Sequence, residues 1–285
     1  MFEITSPMMP PPCVCYEALE CAKLCRDAYY APRHVILKKT SPDTLIVANA
    51  GTDNIYDWFA NLSFKKHRRG EHSGFYYKAQ WSIRRNAIRE KVAQPSVHNV
   101  VFCGHSSGGA AAMMMSTILR KELRPKARVS VYMFGSPKLG NHAFADFVDD
   151  IVRERDDSLR VYNIRNGRDP VSTIPFFADY VHATPPIDMV STVEEAPLDN
   201  HYTSSYIRSL TDCIRDARSI QPEGRCLSTI TGRPCHECRH TSYTTDMGTG
   251  EELSDEHVSR DATARSRSMD VSRDATARSR SRDVR

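Results

Sequence analysis

Along residues 16–214 the apolar positions switch between two periods. Short runs rich in Val, Ile and aromatic residues, at 35–38, 44–48, 99–103, 128–134 and 159–164, read as strands. Between them apolar residues recur at helical spacing. Phe75, Ala79, Ile83, Ala87 and Ile88 mark one helix, closed by Pro95, while 110–120 is rich in Ala and Met and 144–152 forms a third candidate. Strands alternating with helices predict a parallel sheet covered by helices, in one layered α/β domain.

After about Ser219 this patterning stops. The rest is polar, broken by Gly and Pro, and ends in a thirteen-residue repeat that begins at Val258 and again at Val271. Two copies without buried hydrophobes cannot build a stacked solenoid, which needs about three units, so disorder is the expectation. The predicted organisation is therefore an N-terminal arm over 1–15, an α/β domain over 16–218 and a tail over 219–285. Residues 258–285 hold eight Arg against four Asp, a surplus equal to the net charge of +4 for the whole chain. The body is thus electrically balanced, which argues against a nucleic-acid-binding surface on the domain. The Arg-Ser repeat leaves contact with RNA or anionic lipid open for the tail alone.

Nine cysteines, an odd number, and an N-terminus with neither a basic nor an apolar stretch suggest a reducing environment. No apolar run is long enough to span a bilayer. The expectation is a soluble intracellular protein.

The chemically richest segment is Gly104-His105-Ser106-Ser107-Gly108-Gly109, placed where a strand ends and a helix of small residues begins. A serine at so tight a turn adopts positive φ, and flanking glycines let strand and helix backbones approach. The turn raises Oγ of Ser106 above the sheet and puts the Ser107 amide at a helix N-terminus, suited to an oxyanion. No Lys-Ser or Lys-Thr pair follows the glycines, so a phosphate-binding loop is disfavoured.

A nucleophilic serine needs a base and a group to orient it, which in this arrangement follow in the order acid, then histidine. Asp169 lies just past a strand and is stiffened by Pro170. An ordinary Asp-Pro turn is the competing reading. Of the histidines beyond it, His182 sits in the strand-like 180–183 and reads as a hydrogen-bonded sheet residue. His201 opens a helix with Tyr202, Tyr206, Ile207 and Leu210 on one face, and His236, His240 and His257 fall in the tail. His201 is the candidate base.

Taken together these segments resemble the class 3 lipase family of α/β-hydrolases. Ala50-Gly51-Thr52-Asp53 with Asp57-Trp58 and Asn61-Leu62, His72-Ser73-Gly74-Phe75, the 104–109 elbow, Phe134 to Asn141, Asp169-Pro170-Val171 with Ile174-Pro175, and His201 occur in the family's order. The resemblance implies the α/β-hydrolase fold, a mostly parallel central sheet flanked by helices. It implies ester hydrolysis without a cofactor or metal, with Ser106 as nucleophile, Asp169 and His201 as its partners, and an oxyanion hole from Thr52 and Ser107. Thr52 also reads as a helix cap. The space available for a lid is short and ends in Lys65-Lys66-His67-Arg68-Arg69. That cluster is either a solvated loop or a contact of Lys65, Lys66, Arg68 and Arg69 with an anionic membrane.

Two further readings complete the picture. Cys226, Cys235, Cys238 and His240 have unusual spacing for a zinc site and read as free thiols, while Cys21 and Cys25, four apart, read as core residues of a helix. The alternative to an enzyme is a catalytically silent lipase-like scaffold.

Overall fold

The computed structural model describes residues 12–53, 65–123, 127–154, 158–177, 179–189 and 196–220. The chain divides into two units, 1–240 and 241–285, and all described residues lie in the first. The tail repeat, the four-residue Cys/His group, Asp57, Trp58, Asn61 and Leu62 therefore fall outside the described residues.

Among the described residues six strands form one sheet in sequential order: β1 (Val35–Ser41), β2 (Thr44–Asn49), β3 (Asn99–His105), β4 (Arg128–Phe134), β5 (Leu159–Asn166) and β6 (Ile187–Met189). Only β1 pairs antiparallel; every other neighbour is parallel. The helices are α1 (Pro12–Ala28), α2 (Ser73–Arg85), α3 (Ile88–Val92), α4 (Ser107–Ile118), α5 (His142–Glu154) and α6 (Thr203–Ile220). This is the expected mostly parallel α/β sheet. β6 was not foreseen, and the strand-like 180–183 contributes only one isolated bridge, between Val181 and Gly140.

The period of two along each strand divides the core into two layers. Leu45, Val47, Val100, Phe102, Val129 and Val131 face α2 to α5, whereas Ile46, Ala48, Val101, Cys103, Tyr132 and Phe134 face α1 and α6. Each of the large buried side chains contributes on the order of 1.5–3 kcal/mol by leaving water. The crossovers from β2 through β5 all run over the α2–α5 face, as one handedness of connection requires.

Helix α4 is buried along all but its last residue, Ile118, as befits a helix of small and apolar residues packed under a sheet. Its Ser116 and Thr117 hydroxyls donate to the carbonyls of Met113 and Met114, so they bring no unpaired group into the core. On the other face α1 and α6 pack together, with Sγ of Cys15 and Cys213 2.9 Å apart. Cys21, Cys25 and Cys103 are buried beside them, Cys21 and Cys25 in the core role expected of them.

Candidate active site

Ser106 stands between the end of β3 and the start of α4 with φ 56° and ψ −130°. For a residue with a Cβ this costs about 1–3 kcal/mol and persists only where neighbours enforce it. The enforcement is visible. Its N–H donates to the carbonyl of Phe134 on β4 at 2.8 Å, and its carbonyl accepts from the Gly109 amide at 2.9 Å. A Cβ on Gly104 would strike the backbone of Gly108, and one on Gly108 would strike the carbonyls of Asn49 and Ala50. Those two glycines are thus the steric condition for strand, elbow and helix to coexist.

Asp169 and His201 come together from distant parts of the chain. Nδ1 of His201 lies 2.9 Å from Oδ2 and 3.0 Å from Oδ1 of Asp169. Oδ2 also accepts from the Tyr206 hydroxyl at 2.6 Å, and Oδ1 from the Val171 amide at 2.8 Å. Burial pushes the Asp169 carboxyl up, but the bond and charge of His201, with the Tyr206 and Val171 donors, hold it below the usual carboxylate range. Asp169 is therefore an ionised acceptor. Tyr206, buried against that carboxylate, has its hydroxyl pushed well above its ordinary range and stays a donor.

The ring of His105 braces His201 from the other side. Its Nε2 is 2.6 Å from the His201 carbonyl and its Nδ1 2.7 Å from the Tyr29 hydroxyl. Burial, reinforced by repulsion from His201, pulls His105 down to about 3, so it is neutral. Since a carbonyl only accepts, Nε2 carries the proton and Tyr29 donates to Nδ1. Asn166 at the end of β5 adds a bond to the carbonyl of Asn200 at 3.2 Å, fixing the turn that delivers His201.

Oγ of Ser106 and Nε2 of His201 are both buried, and neither has a hydrogen-bond partner. They are not bonded to each other. A cavity of about 430 Å³ is lined by His201 with Tyr29, Thr52, His105, Leu198 and Tyr202.

Thr52 borders this cavity, and a Cβ on the neighbouring Gly51 would meet Cβ of Ser106 at 2.8 Å, so the 50–52 segment abuts the elbow. Thr52 Oγ1 lies 3.0 Å from Ser107 Oγ. Ser107 opens α4, whose first amides have no intrahelical acceptor. The segment expected to form a helix capped by Thr52 lies outside the described residues. His182 is a structural histidine as expected: Nε2 donates to the Ser172 carbonyl at 2.6 Å and Nδ1 accepts from Asn163 at 3.1 Å.

Several contributors escaped sequence reasoning. Lys78 donates to Ala50, Gly51 and Ser107; the signal was a lysine beside Phe75, Ala79, Ser82 and Ile83 on the buried face of α2. Tyr206 lay on the apolar face of α6, where a buried hydroxyl needs a partner. Gly135, at φ 59°, leaves the space that Asp169, His201 and Tyr206 fill, since a Cβ there would meet His201 Nδ1 and the Tyr206 hydroxyl at 2.9 Å.

The cationic segment is a pinned loop. His67 N–H bonds the Glu71 carbonyl at 2.7 Å, Arg69 N–H bonds the buried Glu71 carboxylate at 2.7 Å, and Lys66 bridges His72. Lys65, Lys66, Arg68 and Arg69 are exposed. Lys66 pairs with Asp179.

Residues 46–178 match the class 3 lipase family. The chain is 30% identical over 174 residues to a secreted mono- and diacylglycerol lipase 1 of Fusarium solani, covering 58% of this chain and 48% of that protein. It is 28% identical over 152 residues to the secreted mono- and diacylglycerol lipase A of Penicillium cyclopium, covering 50% and 46%. The chain thus spans about half the length of these curated relatives. In fold it is similar to Rhizomucor miehei lipase complexed with its propeptide, with TM-score 0.50 and 18% identity over 78% of this chain and 80% of that one. A fungal lipase–inhibitor complex gives TM-score 0.50 and 21% identity over 65% and 82%.

Relatives named as secreted contradict the expectation of an intracellular protein. The expectation leaned on cysteine count, yet Cys15, Cys21, Cys25, Cys103 and Cys213 are buried. Buried thiols serve as small apolar side chains and carry no information about compartment. Among the described residues no helix is long and apolar enough to cross a membrane. The sheet, the elbow and the match over 46–178 together make this chain similar to the class 3 lipase family of α/β-hydrolases.

Proposed function

We propose that this protein is an extracellular serine ester hydrolase acting on glycerolipid esters, with partial glycerides as the substrate class. Ser106 is the nucleophile, His201 the base, Asp169 its orienter, and Thr52 with the Ser107 amide the oxyanion hole. The domain of this reading spans 16–218, preceded by the arm and followed by the tail. The observation that carries it is the bond of His201 Nδ1 to the ionised Asp169, beside a serine held at positive φ. With Nδ1–H donated to the carboxylate, Nε2 is left as the basic nitrogen. That atom and Ser106 Oγ both belong to the buried polar atoms that have no hydrogen-bond partner among the described residues. A small rotation that pairs them satisfies both, and such bonds commonly close only when substrate binds.

In this reading His201 Nε2 takes the Ser106 proton as Oγ attacks the ester carbonyl carbon. The carbonyl oxygen becomes an oxyanion facing the Thr52 and Ser107 donors. Collapse breaks the bond to the alcohol, which leaves with the proton from Nε2. A water molecule then surrenders a proton to Nε2 as it attacks the acyl carbon; collapse breaks the bond to Ser106 Oγ, which takes that proton back from Nε2, and the carboxylic acid leaves.

The names of the relatives support partial glycerides, and the exposed 65–69 loop supports contact with an anionic lipid surface. The test is hydrolysis of monoacylglycerol, diacylglycerol and nitrophenyl esters by the protein and by Ser106→Ala. Loss of turnover in the variant is expected; equal turnover in both overturns the assignment.

A further inference from the structure

Lys78 is a lysine on the core face of α2, partly buried, with its ammonium among the backbone of 50–51 and the start of α4. Its three N–H groups have three acceptors: the Ala50 carbonyl at 3.1 Å, the Gly51 carbonyl at 3.1 Å and Ser107 Oγ at 2.8 Å. An ammonium has no lone pair, so Ser107 Oγ must accept from it. The Ser107 hydroxyl proton then needs its own acceptor, because Ser107 is buried. Thr52 Oγ1, at 3.0 Å, is the partner that takes it. With Thr52 Oγ1 accepting, its own proton is released to point elsewhere, and Thr52 borders the cavity shared with His201.

We propose that Lys78 is a positioning residue of the oxyanion hole: its ammonium fixes the 50–51 backbone and, through Ser107, turns the Thr52 hydroxyl proton toward the developing oxyanion. This rests on the serine-hydrolase reading above. It assigns the Ser107 side chain a role separate from that of its amide. Burial draws the Lys78 ammonium down to about 8, opposed by the charge of Asp53.

The experiment is a double-mutant cycle of Lys78→Met and Ser107→Ala in the full chain, with kcat and KM for a short-chain nitrophenyl ester. Affinity for an alkyl trifluoromethyl ketone, whose adduct with serine carries an oxyanion, is measured alongside. Each single variant is expected to lose about 10- to 100-fold in kcat, with KM within about threefold and ketone affinity falling in parallel. The double variant should lose little more than the worse single one, because the two side chains act in series. Multiplying losses, unchanged kcat in Lys78→Met, or a rise in KM alone would overturn the relay. If Lys78→Met does not fold, Lys78→Gln takes its place in the cycle. Fluorophosphonate labelling of the unaltered protein separates the two levels: with labelling present, a negative cycle sinks the Lys78 role alone, and with labelling absent the serine reading fails first.

Discussion

The Tyr206 hydroxyl donates to Oδ2 of Asp169 at 2.6 Å, the same oxygen that faces Nδ1 of His201 at 2.9 Å. The phenol also accepts from the Asn166 amide at 3.1 Å, so it ties β5, α6 and the carboxylate into one unit. Tyr206→Phe removes a donor to a charged group and strands a buried amide. The expected cost is about 1–3 kcal/mol of stability, with roughly tenfold loss of kcat as Asp169 holds His201 less firmly. Chemical unfolding and steady-state kinetics check this, and a variant with unchanged stability contradicts it.

Gly135 should be the least replaceable residue that touches no substrate. Gly135→Ala would place a methyl group against Asp169, His201 and Tyr206 while imposing φ 59° on an alanine. Folding survives if the sheet yields slightly, but the Asp169–His201 pair cannot keep its geometry. Turnover should fall by about 100-fold or more, in line with misplacement of about 1 Å. Retention of more than a tenth of the activity would show that the cleft is roomier than described.

Asp169 also makes stability depend on pH with a definite sign. Its carboxyl lies below the usual range in the folded protein, so the folded state binds fewer protons than the unfolded chain. The stabilisation is complete above the unfolded value of about 4 and is lost as pH falls through the lower folded value. Asp169→Asn lacks this term. Urea midpoints measured from pH 7 to pH 3 should therefore decline more steeply for the native sequence than for the variant. Parallel declines would remove the ionised Asp169.

The loop at 65–69 and helix α2 make a second prediction about partners. Arg68, Arg69 and Arg84 line a cleft of about 960 Å³ with Tyr77 and Trp81, and these two aromatics are 61% and 46% exposed. Aromatic and cationic groups together suit a lipid headgroup layer. At about 1 kcal/mol for each basic side chain, replacing the three arginines by Gln should weaken binding to phosphatidylserine vesicles roughly a hundredfold. High salt should do the same, while phosphatidylcholine vesicles bind weakly throughout. Equal binding to both lipids would contradict the electrostatic contact.

What the sequence disclosed follows from how local each determinant is. The central strands were legible because buried strands concentrate β-branched residues between turn signals. The Ser106 elbow was legible because Gly104 and Gly108 are steric necessities within five residues. Asp169 and His201 could be nominated by order along the chain, but their meeting depends on His105, Tyr29, Asn166 and Tyr206, which lie up to 177 residues apart in Tyr29 and Tyr206. β6 is a three-residue edge strand, too short for any period to register. Among the described residues the alternation at 180–183 yields a β-bridge at Val181 with Gly140 but no strand. Lys78 has a local signal only in its place beside the buried face of α2; its acceptors on Ala50, Gly51 and Ser107 lie 27–29 residues away along the chain.

The most direct measurement is mass spectrometry of the protein after reaction with a fluorophosphonate. A single adduct should form, map to the peptide containing Ser106, and fail to form in Ser106→Ala and, at a much reduced rate, in Asp169→Asn. An unlabelled protein, or an adduct located on any other serine, would contradict the proposed chemistry.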